Sequence, residues 1–246
     1  MKFHRVTLDG CSAANGLVVV VDVLRAFTTA ANAFEREVEE ILLVSTVEEA
    51  FELRARYPDY LLIGEVDGLP VDGFDLPNSP SALQDFNLNS KRLVQRTTAG
   101  TQGVVLATGA ERLLAASLCV ASATCEYIKS LNPPSVTFVE TGARGSGSGD
   151  EDIACADYMA GLLDGTPPGL DEIERRVRNS RAAQKFVGDN RSVFPRADLE
   201  QALKVDCFDF AMEAHRRNGQ IVLEAVRHGA NDELPKKRRR QNESTG

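Results

Sequence analysis

One unbroken apolar run, LVVVV at residues 17–21, constrains the fold of this chain most. Five consecutive β-forming residues are typical of a strand that is buried on both faces, as in a sheet covered by helices on each side. Asp22 and Arg25 follow, and the good helix formers after them predict a helix that begins near Arg25. The sequence therefore predicts an α/β fold with Asp22 at the carboxyl end of a central strand, where open α/β sheets bind their ligands.

A structural role for the same two side chains is the alternative. Asp22 could cap the following helix, and Arg25 could pair with an acidic residue at the surface. This stretch alone does not separate the two hypotheses.

Further apolar runs alternate with helix-like segments along the chain. Strands are predicted at residues 41–44, 60–64, 91–95, 112–120 and 135–139, and Asn218-Gly219 predicts a hairpin turn between two alternating strands. Helices are predicted at residues 47–56, 79–86, 122–131, 150–163, 170–187 and 195–203, and Thr46 with Glu49 predicts a capping box at the start of the first. Together they indicate a layered α/β/α architecture with a mostly parallel, mixed β-sheet.

Two of these helices carry specific expectations. Helix 150–163 is predicted to bury one apolar face, formed by Ile153, Ala156, Ala160 and Leu163. The highly charged helix 170–187 is predicted to be a solvated exterior element.

The length of 246 residues allows one large α/β domain, expected at residues 1–232, or two closely packed lobes. No apolar segment approaches the roughly 20 residues of a membrane span, and none resembles a signal peptide, so we expect a cytoplasmic protein with no membrane contact. The cysteines lack metal-ligand spacing and are expected to be reduced thiols: Cys11, Cys119, Cys125, Cys155 and Cys207.

The formal net charge of −8 conceals a basic run at Lys236–Arg240. The other 23 basic residues stand against 36 acidic ones, so the rest of the chain has a charge of −13. An acidic body argues against nucleic-acid binding, and residues 233–246 are predicted to be a disordered basic tail, although such a run could touch RNA. A homo-oligomer is compatible with the exposed strands expected here.

Polar side chains follow four of the predicted strands, at Asp22 and Arg25, at Glu65, at residues 96–101 and at residues 140–152. If these strands lie side by side, their carboxylates and anion-binding donors converge on one rim of the sheet. Oxygen ligands of this kind suit Mg²⁺, which can neutralise a phosphate ester and lower the pKa of an attacking water. The hydroxyl-rich turn RTTAGTQG at residues 96–103 is predicted to bind an anion.

Several common catalytic motifs are missing from the sequence. It contains no GxxxxGK[ST], no GxSxG and no HExxH, and its three histidines are scattered. The glycines of GARGSGSG lack the frame and downstream acid of a dinucleotide-binding fold.

The ordered set VDVLRAFTT, GE, GFDLPNSP, RTTAGTQG, TGARG and DEDIACA resembles the 2-phosphosulfolactate phosphatase family over residues 17–163. The resemblance implies an α/β fold particular to that family. It also implies a Mg²⁺-dependent acid-type phosphatase that converts 2-phospho-3-sulfolactate to 3-sulfolactate and phosphate, a step toward coenzyme M.

By the same resemblance, Asp22 and Arg25 are the catalytic residues, and Asp22 could act as metal ligand, nucleophile or base. The implied metal ligands are Asp22, Glu65, Glu151 and Asp152. The implied substrate-binding residues are Arg25, Asn78, Ser79, Arg96, Thr97, Thr98, Gly100, Thr101 and Arg144.

The sequence departs from the family pattern at Ala99, where the family commonly has Asn, which puts the substrate in question more than the reaction. A phosphatase of the same fold with another small phosphoester substrate is therefore one alternative. A non-catalytic anion-binding protein is the other, but it would gain nothing from four carboxylates near its ligand.

Overall fold

A single sheet of ten strands organises the described part of the chain, which in this computed structural model is residues 1–142, 149–188 and 190–227. The strands are β1 (Lys2–Thr7), β2 (Gly16–Val21), β3 (Glu40–Val44), β4 (Leu61–Gly64), β5 (Leu76–Pro77), β6 (Arg92–Arg96), β7 (Ala110–Ala116), β8 (Ser135–Glu140), β9 (Phe210–Arg217) and β10 (Gln220–Arg227). Their order is β1-β8-β2-β7-β9-β10-β3-β6-β4-β5. Six of the nine pairings are parallel, which confirms the predicted mixed, mostly parallel sheet.

Eight α-helices accompany the sheet within the described residues. They are α1 (Ala26–Glu35), α2 (Val47–Arg56), α3 (Gly100–Leu106), α4 (Ala121–Leu131), α5 (Asp150–Asp164), α6 (Leu170–Asn179), α7 (Gln184–Val187) and α8 (Arg196–Ala202). Three short 3₁₀ helices lie at Leu8–Ala13, Ala82–Asp85 and Leu118–Val120. Two expectations, the basic tail at residues 233–246 and the site residue Arg144, fall outside the described residues.

The sheet consists of two parallel halves that run in opposite directions. The strands β1, β8, β2 and β7 form one half, and β3, β6, β4 and β5 form the other. The β9–β10 hairpin joins the two halves through three antiparallel pairings, β7–β9, β9–β10 and β10–β3. Each pairing reverses the strand direction, so after three reversals β3 runs opposite to β7. The strands that carry Asp22 and Glu65 are therefore not side by side, in contrast to the simplest arrangement expected from the sequence.

One core on the inner face of the sheet unites the two halves. Val20 of β2, Leu93 of β6 and Phe27 of α1 are all fully buried in the same apolar cluster. The side chain of Gln95 donates a 3.0 Å hydrogen bond from β6 to the Ala26 carbonyl at the start of α1. The helix α3 also contacts both β2 and β3. Because residues that follow β2, β4 and β6 line one cavity although β2 is distant from the other two in the strand order, the sheet must curve around α1 and α3.

The outer face of each half is covered by other helices. The helices α4 and α5 pack against β2, β7, β8 and β9, and α6 packs on α5. On the other half, α2 contacts β3, β4 and β6. Both faces of the sheet therefore carry helices, which confirms the layered α/β/α prediction.

Two local signals in the sequence hold in detail. The Thr46 hydroxyl accepts a hydrogen bond from Glu49 N–H, and the Glu49 carboxylate accepts one from Thr46 N–H, so α2 begins with the predicted capping box. At the β9–β10 turn, Asn218 and Gly219 have φ angles of 54° and 78°, the conformation that a two-residue hairpin turn requires.

The predicted apolar face of α5 is wrong in part. Ala156 is fully buried, and Ala160 and Leu163 pack against the core, but these two and Ile153 are only half-buried, whereas the acids Glu151 and Asp152 are buried. The helix lies between the sheet, α4 and α6, so burial extends around much of its circumference. Its first turn faces polar groups at the ends of β2 and β8, so apolar periodicity does not identify which side is inward.

The prediction of one solvated helix over residues 170–187 is also wrong. The first helix ends at Asn179, and the Ser180 hydroxyl accepts a 3.2 Å hydrogen bond from Ala183 N–H before α7 begins. Phe186 of α7 is buried, as is Ile173 of α6. The local hydrogen bond at Ser180 offers the backbone an alternative to continued helix, and this segment packs on the core instead of extending into solvent.

Two boundaries differ from the predictions. The helix expected from Ser79 is the short 3₁₀ helix at Ala82–Asp85, although the Ser79 hydroxyl still accepts a 3.3 Å hydrogen bond from Ala82 N–H. The strand expected to reach Val120 ends at Ala116, where the chain turns into a 3₁₀ helix. Within the three described segments, no helix is both long enough and apolar enough to cross a membrane.

Candidate active site

A cavity of about 330 Å³ lies where β2, β4 and β8 end. Its lining includes five of the predicted site residues: Asp22, Arg25, Glu65, Asn78 and Thr98. A smaller cavity of about 90 Å³ shares three of these residues and also includes Ser79. The curved sheet thus gathers side chains from both of its halves at one place.

Asp22 stands at the carboxyl end of β2, as predicted, and is almost fully buried. Its Oδ1 accepts a 2.9 Å hydrogen bond from Ala26 N–H, so one oxygen does cap α1. Its Oδ2 lies 3.4 Å from the Thr141 hydroxyl. Burial, together with the nearby carboxylates of Glu65 and Glu151, raises the pKa of Asp22 to about 7. The capping and site hypotheses are therefore compatible.

Gly100 makes room for the Asp22 carboxylate. A Cβ atom at this position would lie 2.8 Å from Asp22 Oδ2 and 2.5 Å from Ala26 Cβ. Both distances are shorter than any normal contact, so the first turn of α3 can approach Asp22 this closely only with glycine here.

Asp152 connects three segments behind the cavity. Its Oδ1 accepts a 2.8 Å hydrogen bond from Val23 N–H, and its Oδ2 accepts hydrogen bonds from Gly142 N–H at 2.7 Å and from the Thr141 hydroxyl at 3.2 Å. Burial, followed by the charges of Glu151 and Asp22, raises its pKa well above the ordinary value. Asp152 therefore fixes the ends of β2 and β8 relative to α5.

Glu151 is buried and packs closely against Gly142. A Cβ atom added to Gly142 would lie only 2.9 Å from Glu151 Oε1. Burial raises its pKa, and its Oε2 has no hydrogen-bond partner among the described residues. Asp150, the neighbouring acid, instead points outward and forms a 2.6 Å ion pair with Arg176. Of the three acids that open α5, two thus face the interior near Asp22.

Glu65 holds together the two loops on the other side of the cavity. Its carboxylate accepts hydrogen bonds from Thr98 N–H at 2.6 Å, from the Thr98 hydroxyl at 3.0 Å and from Gly68 N–H. The carboxylate is buried and lines the cavity, but these protein donors already engage both of its oxygens.

Arg25 is buried and paired, not at the surface. Its Nη1 donates to Asp198 Oδ2 at 2.9 Å and to the Val193 carbonyl at 3.0 Å, and its Nη2 donates to the Gly68 carbonyl at 3.2 Å. The guanidinium lies between two aromatic rings, 5.3 Å from the centroid of Phe186 and 5.1 Å from that of Phe194.

The remaining residues of the hydroxyl-rich turn stabilise its shape. The hydroxyls of Thr97 and Thr101 exchange hydrogen bonds with each other's backbone N–H groups at 3.0 and 2.8 Å. Arg96 Nη1 donates to the Glu65 carbonyl at 2.8 Å, away from the cavity lining. In the described residues, only water or a ligand is left to accept from the N–H groups of Ala99 and Gly100.

Asn78 and Ser79 differ in their surroundings although they are adjacent. Asn78 lines both cavities, and its buried Oδ1 has no partner within the described part of the chain. The Ser79 hydroxyl donates a 2.8 Å hydrogen bond to Asp198 Oδ1. The side chain of Asn78 is therefore the one available to a ligand.

The buried carboxylates of Asp22, Glu151 and Asp152 fit a cation. The charge of Glu151 raises the pKa values of both aspartates, and that of Asp22 raises the pKa of Asp152. None of the three carboxylates forms an ion pair with a basic side chain of the described residues. The unsatisfied Oε2 of Glu151 is a further free oxygen. No three His, Cys, Asp or Glu side chains among the described residues are placed around a common point as metal ligands. The arrangement suits Mg²⁺, which takes one or two protein carboxylates and completes its shell with water and phosphate.

Among the cavity residues that were not predicted from the sequence, four have side chains that contribute to the site. Thr141 directly follows Glu140, whose buried side chain instead forms a 2.6 Å ion pair with Arg5. Lys185 and Phe186 belong to the segment predicted to be solvated, and Phe194 follows it. Phe186 was the available signal in this charged segment, because a large aromatic side chain is rarely fully exposed to solvent and so predicts burial.

Asp198 was missed for another reason. It is fully buried and accepts hydrogen bonds from Arg25 and from the serines Ser79 and Ser81. In the sequence it reads as an ordinary acid in the first turn of a helix, so no local signal marks it.

Comparison with known proteins assigns the chain to a family. The family model for 2-phosphosulpholactate phosphatase matches residues 4–216. A Bacillus subtilis protein named "Probable 2-phosphosulfolactate phosphatase" is 37% identical over 207 residues, which cover 82% of this chain and 88% of that protein. A protein of the same name from Carboxydothermus hydrogenoformans is 33% identical over 227 residues, covering 88% and 93%.

Proposed function

The chain belongs to the 2-phosphosulpholactate phosphatase family and is a phosphoric monoester hydrolase, and we propose that it is a Mg²⁺-dependent phosphatase that converts 2-phospho-3-sulfolactate to 3-sulfolactate and phosphate. The position of Asp22 is the observation that supports this proposal most directly. It is a buried carboxylate at the end of a central strand, in a cavity that also presents N–H donors and a guanidinium. Such a combination suits a phosphate ester, whose oxygens need donors and whose charge needs compensation.

The roles of the protein groups follow from their contacts. Asp22 is the catalytic carboxylate, held in one orientation by Ala26 N–H and by the close approach of Gly100. The N–H groups of Ala99 and Gly100 donate to the phosphoryl oxygens, and Asn78 contributes its side-chain amide. The guanidinium of Arg25 lies at the cavity in a fixed orientation and supplies positive charge to the anionic substrate.

The metal would be held on the Asp22 side of the cavity. Asp22 and Glu151 have oxygens that protein donors do not fully engage, so these two carboxylates would bind it directly. Glu65 and Asp152 already accept protein hydrogen bonds, and they would complete the acidic surroundings. When bound, Mg²⁺ supplies charge neutralisation to the phosphate ester and lowers the pKa of a coordinated water.

Phosphate release from a panel of C3 phosphoesters tests the proposal. The esters bear sulfonate and carboxylate, carboxylate alone, sulfonate alone, or neither group, and each is assayed with Mg²⁺ and with EDTA. We expect the first ester to be hydrolysed best, EDTA to abolish activity, and Asp22→Asn to do the same. Asp59→Asn, an exposed acid far from the cavity lining, is the matched control. Full activity of Asp22→Asn, or activity unaffected by EDTA, would contradict the proposal.

A further inference from the structure

Two basic side chains line the cavity in the described residues, Arg25 and Lys185. The charge of Arg25 is already matched by Asp198 at 2.9 Å, in a pair from which solvent is excluded. Lys185 forms no ion pair with a described residue and is exposed at the cavity mouth. Of the two cations, Lys185 is therefore the one that no ion pair holds among the described residues, although its charge offsets part of the rise in the pKa of Glu151.

Aromatic packing directs the Lys185 side chain. Its Nζ lies 5.6 Å from the centroid of the Phe194 ring, the same ring that stacks on Arg25. Phe194 in turn packs edge-on against Phe186, with the two centroids 5.5 Å apart. The apolar surface of Phe194 thus supports the lysine stem while the ammonium group stays free to meet an anion.

Lys185 and Asp22 come from unrelated elements. Asp22 ends β2, whereas Lys185 lies on α7, in the part of the chain that Asp198 attaches to Arg25. A ligand whose phosphate occupies the N–H donors beside Asp22 leaves its other charged group without a partner on that side, because the acids there repel it.

We propose that Lys185 determines substrate specificity by binding the non-phosphate anionic group of the substrate, a sulfonate or a carboxylate. This inference rests on the proposed function. A lysine suits the task because its ammonium is a compact point charge on a flexible stem, and a singly charged anion needs no paired donors.

The test compares kcat/KM for four C3 phosphoesters, bearing both anionic groups, sulfonate alone, carboxylate alone, or neither. The preference is the kcat/KM of an ester that bears sulfonate or carboxylate, divided by the kcat/KM of the ester that bears neither. For Lys185→Met, we expect this ratio to fall about tenfold or more, chiefly through a higher KM, because one charge-assisted contact is lost. The ester with the larger loss identifies the group that Lys185 binds. Lys185→Arg should restore most of the preference, and Arg181→Met, which removes an exposed charge outside the cavity lining, should leave it at the wild-type value.

An unchanged preference in Lys185→Met, or an equal loss in Arg181→Met, would overturn the inference. If the wild-type protein released phosphate from none of the esters, the proposed function would fail separately. Calorimetric binding of 3-sulfolactate would then decide the question. A dissociation constant raised about tenfold by Lys185→Met supports the role of the lysine, and an unchanged constant or an absence of binding to the wild type overturns it.

Discussion

Arg25 Nη1 and Asp198 Oδ2 form an ion pair at 2.9 Å between residues that are 173 positions apart in the chain. Both side chains are buried, and Asp198 also accepts hydrogen bonds from the hydroxyls of Ser79 and Ser81. One carboxylate thereby joins the loop after β2, the loop after β5 and helix α8. The guanidinium at the cavity is consequently oriented by a residue that has no place in the cavity lining.

Asp198→Ala should destabilise the protein strongly. The substitution leaves the Arg25 charge buried without a partner and frees two serine hydroxyls, and breaking a buried pair in this way costs about 3–5 kcal/mol. Urea unfolding measures the loss. Asp209→Ala is the control, because Asp209 pairs with Arg227 at the surface, where an ion pair contributes about 0–1 kcal/mol. Equal losses in the two variants would show that the buried pair does not support the fold.

Gly100→Ala should lower the catalytic rate strongly while most of the protein remains folded. The new Cβ would overlap with Asp22 Oδ2 and Ala26 Cβ, so the carboxylate must move from its position at the cavity. A displacement of about 1 Å can cost a catalytic group a hundredfold in rate, and we expect kcat to fall by about that factor. Gly169→Ala is the control, because a Cβ at Gly169 would have no heavy atom within 4 Å outside its own chain neighbours and helix backbone. A Gly100→Ala enzyme with wild-type kcat would exclude Asp22 from the chemistry.

The elements of this fold were largely predictable because each is encoded locally. The capping box at Thr46 and the turn at Asn218 depend on contacts within a few residues, and their predictions are confirmed. The position of Asp22 after a strand also follows from the sequence alone. By contrast, the opposed directions of the two halves of the sheet depend on which strands pair with the β9–β10 hairpin, and no local pattern specifies that pairing.

The site was less predictable because it reverses the usual rule of burial. The acids Glu151 and Asp152 are buried while the apolar Ile153 beside them is half-exposed, an exchange that hydrophobic periodicity cannot anticipate. Asp198 is equally invisible, since its partners come from distant loops. The predicted substrate contacts at Thr97 and Thr101 remain predictions, and in this structure their hydroxyls are engaged with each other's backbone.

Binding of Mg²⁺ should raise the melting temperature of the metal-free protein at pH 8. A cation that binds only the folded state stabilises it by about 2.7 kcal/mol at one hundred times its dissociation constant. Because Asp22 is a proposed ligand, we expect Asp22→Asn to abolish most of the shift, whereas Asp59→Asn should retain it. The measurement is thermal unfolding with and without Mg²⁺ after treatment with EDTA. A shift of equal size in Asp22→Asn would place the cation elsewhere.

Asp22 should also make the metal-free protein less stable as the pH rises. Its pKa is about 7 in the folded protein against an ordinary value of 3.8, so between these values the folded state holds a proton that the unfolded state has released. The contribution of Asp22 to the free energy of unfolding is therefore fully present below pH 3.8 and is lost as the pH rises through 7. At pH 8 the folded protein bears the cost of a buried charge, at most about 4 kcal/mol for a shift of this size.

Asp22→Asn removes that charge, and the variant should consequently be more stable than the wild type at pH 8 in EDTA. The difference in the free energy of unfolding between the two proteins should narrow steadily as the pH is lowered to 4, because the wild-type carboxyl then becomes neutral too. Urea unfolding of both proteins at several pH values measures this, and Asp59→Asn controls for the loss of a surface acid. A difference that stays constant with pH, or widens toward acid, would mean that Asp22 is not a buried group with a raised pKa. The ionised Asp22 carboxylate thus lowers the free energy of unfolding of the metal-free protein, and a bound cation would restore it. Both effects are expected of a metal ligand in a metal-dependent phosphatase.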